Sequence, residues 1–294
     1  MPYEKLIMNN KNRSIIALDV GGSSVKSAII TNSGKLIGDI IVTFIDSKAG
    51  ADDLVGSFAE IINRHLNASI EGIAFGFPGP FDYEEGICWI VDLTKYEALY
   101  GLNLKIELTN LLGVKIPILF RNDAEAAIVG EALYGAARHF NRFIGITLGT
   151  GLGSTFIEGG KPVTEGPGLP EGRWLFPVIF HGIKADDVFS TRGLQARMVA
   201  MGIDGMDICE AAERARRGDM KLQDLFLQFG KDLGEFLRPF VQDFSAEALL
   251  VLGGIAKALD IFQLTLQGLL QIPMLDGKLG NKAALFGAAN LFFK

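Results

Sequence analysis

Residues 15–30 read IIALDVGGSSVKSAII, an apolar run with Asp19, Gly21 and Gly22 set into its middle. Aspartate and glycine are both poor strand residues, so something other than sheet stability must favour them. The stretch is not a P-loop, which needs Gly-x-x-x-x-Gly-Lys-Ser/Thr. Nor is it a dinucleotide fingerprint, which needs Gly-x-Gly-x-x-Gly opening a helix. After Gly22 comes SSVKSAII, polar and apolar in alternation and then wholly apolar, the pattern of a second strand. The unit therefore reads strand, Gly-Gly turn, strand: a hairpin with a carboxylate near its bend.

Bulk properties bound what such a hairpin can belong to. A chain of 294 residues is long enough for two lobes with sizeable cores, or for one large domain. Hydrophobic residues make up 49% and charged ones 21%, ordinary for a globular protein. A formal charge of −6 argues against a nucleic-acid surface, which needs clustered Lys and Arg. The one basic cluster, ERARRGD at 213–219, is interrupted by acids and reads as a solvated helix face. Cys88 and Cys209 lie far apart and suggest neither a disulfide framework nor a cysteine-rich metal site. No apolar run is long enough for a membrane span, and the opening MPYEKLIMNNKNR lacks the apolar core of a secretion signal. The expected location is the cytoplasm, with no nucleic-acid or membrane partner.

Further along, strand and helix patterns alternate. GKLIGDIIVTF reads as a third strand, and Leu54, Phe58, Ile61 and Ile62 recur at helical spacing in GADDLVGSFAEIINRHL. IEGIAFGFPGPFD is a buried strand broken at Pro78, Gly79 and Pro80, followed by an irregular stretch to about Leu102. NLKIELTNLLG suits a helix and VKIPILF a strand, so a mostly parallel α/β lobe is expected. After Phe120 the opening pattern returns in RFIGITLGTGLGSTFIEGGKPV: strand, Gly-rich turn, strand. Repetition of one supersecondary unit suggests two similar lobes. Successive N–H groups in Gly-rich turns form anion-binding nests, so two such hairpins facing a common cleft would hold the phosphates of one nucleotide. A carboxylate at Asp19 would repel those phosphates unless a cation intervened, which implies Mg²⁺, bound directly or through water.

These motifs resemble the actin-like ATPase and sugar kinase superfamily. LDVGGSSVK is similar to its first phosphate motif (Asp19, Gly21, Gly22, Ser23, Ser24, Lys26), and TLGTGLGS to its second (Thr147, Gly149, Thr150, Gly151). VLGGIAKA at 251–258 is similar to the adenosine motif, with Gly253 and Gly254 beside the base and ribose. Within the superfamily, GFPGP, RNDAEAA and the closing KLGNKAALFGAANLFF resemble the ROK family of bacterial sugar kinases and sugar-responsive repressors. The resemblance implies two actin-like, ribonuclease H-like lobes, 1–121 joined by a C-terminal helix at about 281–294, and 122–280. It also implies an ATP-dependent kinase acting on a hexose primary hydroxyl. Asn122 and Asp123 would bind the sugar and Asp123 would be the general base, with Gly79, Glu171 and Asp186 as further sugar contacts and Asp187 as an alternative register for Asp186. The residues alone allow a second role for Asn122 and Asp123, since both are natural N-caps and Glu125 completes the capping-box spacing.

Departures from the family pattern matter as much. Trp174 stands where many members carry a zinc-binding histidine, and HGIKADD replaces their cysteine cluster. His181 has no cysteine neighbour in sequence, so a four-coordinate zinc cannot be assembled and none is expected. Trp174 suits either stacking on a sugar or packing. An N-acylhexosamine acceptor, a polyphosphate donor and a catalytically silent sugar sensor are the alternatives. A repressor needs a DNA-binding module, and with fourteen residues before Ile15 in this sequence none is expected there. The expected partner is a small-molecule sugar, with a homodimer as the assembly to be tested.

Overall fold

The structure, a computed structural model, describes residues 13–91 and 94–293. The opening residues read above for a secretion signal and for a DNA-binding module lie outside the described residues, apart from their last few. The chain divides into two compact units, Met1–Gly130 with Leu279–Lys294, and Glu131–Lys278.

In the first unit, β1 (Ser14–Val20), β2 (Ser24–Thr31) and β3 (Leu36–Phe44) form an antiparallel ribbon. Helix α1 (Ala51–Asn63) leads to β4 (Ile70–Phe77). A short hairpin, β5 (Phe81–Asp82) with β6 (Ile87–Cys88), and helix α2 (Leu104–Leu112) lead on to β7 (Ile118–Asn122). The sheet order is β3-β2-β1-β4-β7, with β4 parallel to both β1 and β7. It is therefore mixed rather than mostly parallel, because the turns joining β1, β2 and β3 are too short for crossovers. Ile16, Leu18 and Val20 of β1 join the core that holds Leu54, Phe58 and Ile62 of α1. The alternate residues Ile15 and Ala17 are equally buried. The C-terminal helix Ala283–Ala289 packs on β1, β2 and β4, so β1 is apolar on both faces.

Helix α3 (Asp123–Tyr134) follows β7 directly. A Cβ added at Gly287 would lie 1.7 Å from the Ala126 carbonyl oxygen, and one at Gly130 2.0 Å from that of Ala283. Glycine at both positions lets the backbones of α3 and the C-terminal helix touch. Arg121, just before the candidate site, donates to the Gly287 carbonyl at 2.6 Å, tying the strand end to that helix.

The second unit repeats the plan: β8 (Arg142–Leu148), β9 (Leu152–Glu158), β10 (Lys161–Pro162), β13 (Ala248–Leu252) and β14 (Met274–Asp276) order as β10-β9-β8-β13-β14. Strand by strand this is the topology of the first sheet. Between β10 and β13 lie β11 (Ile179–Phe180) and β12 (Ile183–Lys184). After them come helices α4 (Ala185–Val188), α5 (Thr191–Ala200), α6 (Ile208–Arg216) and α7 (Met220–Phe244). Helix α8 (Leu259–Leu270) packs on α7 where Gly230 and Gly234 meet Phe262 and Leu269. Among the described residues no helix is long and apolar enough to cross a membrane.

Candidate active site

Strands β1, β4 and β7 run parallel, so their carboxyl ends lie along one edge of the first sheet, where ligands of open α/β sheets collect. Asp19 sits near the end of β1, in register with Gly76 of β4 and opposite Lys26 of β2. The Lys26 ammonium is 2.9 Å from the Asp19 carboxylate, so the acid and base of the first hairpin neutralise each other. Beyond them Gly21, Gly22 and Ser23 form the exposed turn, closed by Gly21 N–H donating to Ser24 O at 2.9 Å. A side chain at Gly21 would press on Ser24 O, only 3.1 Å from its Cβ.

The end of β7 delivers Asn122 and Asp123. Asn122 Oδ1 accepts from the Glu125 amide at 3.1 Å, which makes Asn122 the N-cap of α3. Its Nδ2 donates to the Tyr83 hydroxyl at 3.0 Å, and that hydroxyl donates in turn to Phe77 O at 3.2 Å. Gly79 lies under the same hydroxyl, where a Cβ would come within 3.0 Å of it. Asp123 accepts from the Ala124 amide at 2.8 Å. Burial pushes the Asp123 carboxyl above the ordinary carboxylate range; the Ala124 amide and the Lys95 ammonium pull it back, and the Asp19 charge adds to the rise. Asp19, Lys95, Tyr96 and Asp123 are thus one electrostatic neighbourhood. The Tyr96 hydroxyl, whose pKa is raised by burial and then by Asp123 and Asp19, donates to the Gly21 carbonyl and anchors the glycine turn.

Sequence reasoning missed Tyr83, Lys95 and Tyr96. All three come from the stretch read as irregular, where Thr94 and Tyr96 adopt φ of 57° and 59° and no periodic pattern exists to place them. An aromatic residue in a polar stretch was the one available signal for Tyr96, whose ring is fully buried.

In the second unit the β8–β9 turn carries the expected Thr147, Gly149, Thr150 and Gly151. Thr147 Oγ1 accepts from the Gly153 amide at 3.2 Å, and Gly149 N–H reaches Gly151 O at 3.1 Å. Gly253, at the end of β13, has φ +97°, and a Cβ there would be 2.4 Å from Leu148 O, so only glycine fits. Gly254 then opens the 3-10 turn Ile255–Ala258. Asp186, on α4, lies at the glycine turn: its Oδ1 accepts from the Leu152 amide at 2.7 Å and its Oδ2 meets Arg192 at 2.7 Å. Asp187 touches the same guanidinium at 3.4 Å. Glu171 stands exposed in the turn Glu171–Arg173, with no hydrogen-bond partner among the described residues. Half-buried Trp174 has the Arg173 guanidinium 4.2 Å from its ring centre, so one face is covered. His181 is exposed on the β11–β12 turn and stacks on Phe180 at 4.1 Å.

Known proteins are similar to this chain in sequence and in fold. The chain is 27% identical to a glucokinase of Thermotoga maritima over 157 residues, 53% of this chain and 48% of that one. It thus matches about half the length of that relative. It is 24% identical to a beta-glucoside kinase of Klebsiella pneumoniae over 299 residues, 95% of each chain. Among solved structures, a ROK family glucokinase from Streptomyces griseus, in complex with glucose and AMPPNP, superposes with a TM-score of 0.72. It has 23% identity and covers 95% of this chain and 98% of that one. A ROK family transcriptional regulator, homologous to an E. coli protein, gives a TM-score of 0.77 at 20% identity, over 96% of this chain and 78% of that one. At such identities the superpositions establish the fold. Residues 15–171, from the first strand to Glu171, match the ROK family itself. With more than half its length in that match, and with the same sheet topology repeated in both units, the chain belongs to the ROK family.

Proposed function

We propose that this ROK family chain is a sugar kinase that transfers the γ-phosphoryl group of ATP to a primary hydroxyl of a hexose. The observation that carries the reading is the Asp123 carboxyl. It sits at a strand end and at a helix N-terminus, with its affinity for a proton raised by burial, beside the Asn122 amide and the neighbourhood of the first glycine turn. A carboxylate tuned upward accepts a hydroxyl proton better near neutral pH. Phosphoryl transfer otherwise asks for positioning and charge stabilisation. Asp123 takes the proton, while Asn122, held through both ends of its amide, and the bare backbone at Gly79 orient the sugar. Glu171, open to solvent, accepts a further sugar hydroxyl. Ser23, Ser24 and Lys26 serve the donor phosphates from the first turn, and Thr147, Gly149, Thr150 and Gly151 serve them from the second. Gly253 and Gly254 let the backbone pass the adenosine.

Mg²⁺ fits this donor set in one way. Asp19 is a single carboxylate with one oxygen taken by Lys26, and among the described residues no three acidic, His or Cys groups are placed to hold a metal ion together. Such a site suits an ion held mainly by phosphates and water with Asp19 as a water-linked anchor, a common mode for Mg²⁺. When bound, the ion neutralises charge on the phosphates.

The test is coupled ADP release with glucose, mannose, N-acetylglucosamine, N-acetylmannosamine and the β-glucoside cellobiose, and with polyphosphate replacing ATP. Turnover with one acceptor names the hexose, the acylhexosamine or the glycoside. No turnover with any acceptor or donor, while ATP still binds, moves the assignment to a sugar sensor.

A further inference from the structure

The carbonyls of the second glycine turn are tied down from the α4–α5 segment. Thr191 donates to the Gly149 carbonyl twice, from its amide at 2.7 Å and its hydroxyl at 3.0 Å. Arg192 Nη1 donates to the Thr150 carbonyl at 2.9 Å, and its Nη2 bonds Asp186 Oδ2 at 2.7 Å. Asp186 Oδ1 closes the ring by accepting the Leu152 amide at 2.7 Å. Glycine at 151 is what admits the carboxylate, because a Cβ there would lie 2.9 Å from that same oxygen.

In a trans peptide the carbonyl and the following N–H point in opposite directions. Holding the Gly149 and Thr150 carbonyls on one side therefore aims the Thr150 and Gly151 N–H groups to the other. Neither N–H has an acceptor among the described residues. Two successive N–H groups so aimed form a nest for an anion. The Arg192 charge is matched by Asp186 and Asp187, so its part is to hold a carbonyl rather than to bind the anion itself.

From this geometry we infer that Asp186 and Arg192 are positioning residues for the donor-phosphate turn, and that Asp186 is not a sugar ligand in this chain. One Asp186 oxygen holds the turn at the Leu152 amide, and the other holds the Arg192 that ties the Thr150 carbonyl. Its side chain, one methylene shorter than the glutamate the family resemblance expects, reaches the Leu152 amide instead. The inference rests on the proposed kinase reading for the identity of the anion.

The test uses Asp186→Asn and Arg192→Lys in the full chain, with Mg-ADP titrated by calorimetry, KM measured for donor and sugar separately, and Tm recorded. Losing a charge-assisted tie should weaken ADP binding and raise the donor KM about tenfold in each variant. The sugar KM should stay within roughly twofold, a split that general destabilisation would not produce. A raised sugar KM with unchanged ADP affinity would make Asp186 a sugar contact and overturn the inference. So would wild-type values for both. If Asp186→Asn does not fold, Arg192→Lys decides, since it retains the carboxylate and the charge; normal ADP affinity there overturns the clamp. Absence of turnover in the wild-type chain with every sugar would sink the kinase reading alone, because the ADP titration still reads the clamp. Normal ADP binding in both variants beside wild-type turnover would sink the clamp alone.

Discussion

Asp123→Asn separates chemistry from architecture more cleanly than the sequence suggested. The N-cap bond of α3 belongs to Asn122, whose Oδ1 receives the Glu125 amide at 3.1 Å, so the cap cost of about 1 kcal/mol attaches to Asn122→Ala. At position 123 the amide oxygen of Asn can still accept the Ala124 N–H that Asp123 accepts at 2.8 Å. Linkage adds a sign. The Asp123 carboxyl has its pKa raised in the folded chain, by burial first, so the native state holds that proton more tightly than the unfolded state. The stability this confers is present below the unfolded pKa and lost as pH rises through the folded one. Above the unfolded pKa the buried carboxyl therefore opposes folding relative to a neutral side chain of the same shape, and Asp123→Asn should raise Tm. Its kcat should fall by about 10²–10⁴, roughly 3–5 kcal/mol of transition-state stabilisation, because an amide cannot take the hydroxyl proton. The assay is steady-state ADP release at saturating sugar, with sugar KM and Tm measured on the same preparations. A folded variant that keeps kcat within about tenfold of wild type would refute the base assignment.

Three further outcomes follow from the same geometry. Lys95 lowers the Asp123 pKa, so Lys95→Met should move the acid limb of the kcat/KM profile to higher pH; an unmoved limb would detach Lys95 from the base. His65, whose Nε2 is 2.9 Å from the buried Ser27 hydroxyl, has its pKa lowered by burial and then by Arg64. Between that lowered value and the unfolded value of about 6.5 the unfolded chain binds more protons, so Tm should drop as pH falls through this window. Comparing wild type with His65→Gln over that range checks it, since the variant should lack that part of the slope. Gly287→Ala places a Cβ 1.7 Å from a backbone oxygen and should cost about 1–3 kcal/mol. Gly268→Ala, in open space on α8, should instead gain up to about 1 kcal/mol; thermal melts of the two variants should shift in opposite directions.

Legibility followed sequence locality. The strand-turn-strand of residues 15–30, the helix through Leu54, Phe58 and Ile62, and the capping at Asn122 were all readable. Each is decided within a few residues by alternation, helical spacing or side-chain chemistry. The mixed sheet was readable only in part, because hairpin turns were recognised while strand neighbours were not. What escaped depends on long-range partners. Tyr96 reaches Gly21 across 75 residues, and Asp186 reaches Leu152 across 34. No periodicity announces either contact. The resemblance puts Asp186 beside the sugar, and its bonds to the Leu152 amide and to Arg192 are contacts that local pattern does not reveal.

Phosphoryl transfer to a sugar can be followed by ³¹P NMR of the reaction itself. With Mg-ATP and the sugar selected by the panel, a phosphomonoester resonance should grow as the γ-phosphate signal of ATP declines. That resonance should be coupled to the two protons of the sugar's primary carbon and matched one for one by ADP. Release of inorganic phosphate without a sugar phosphate, or an unchanged ATP spectrum with every sugar tried, would contradict it.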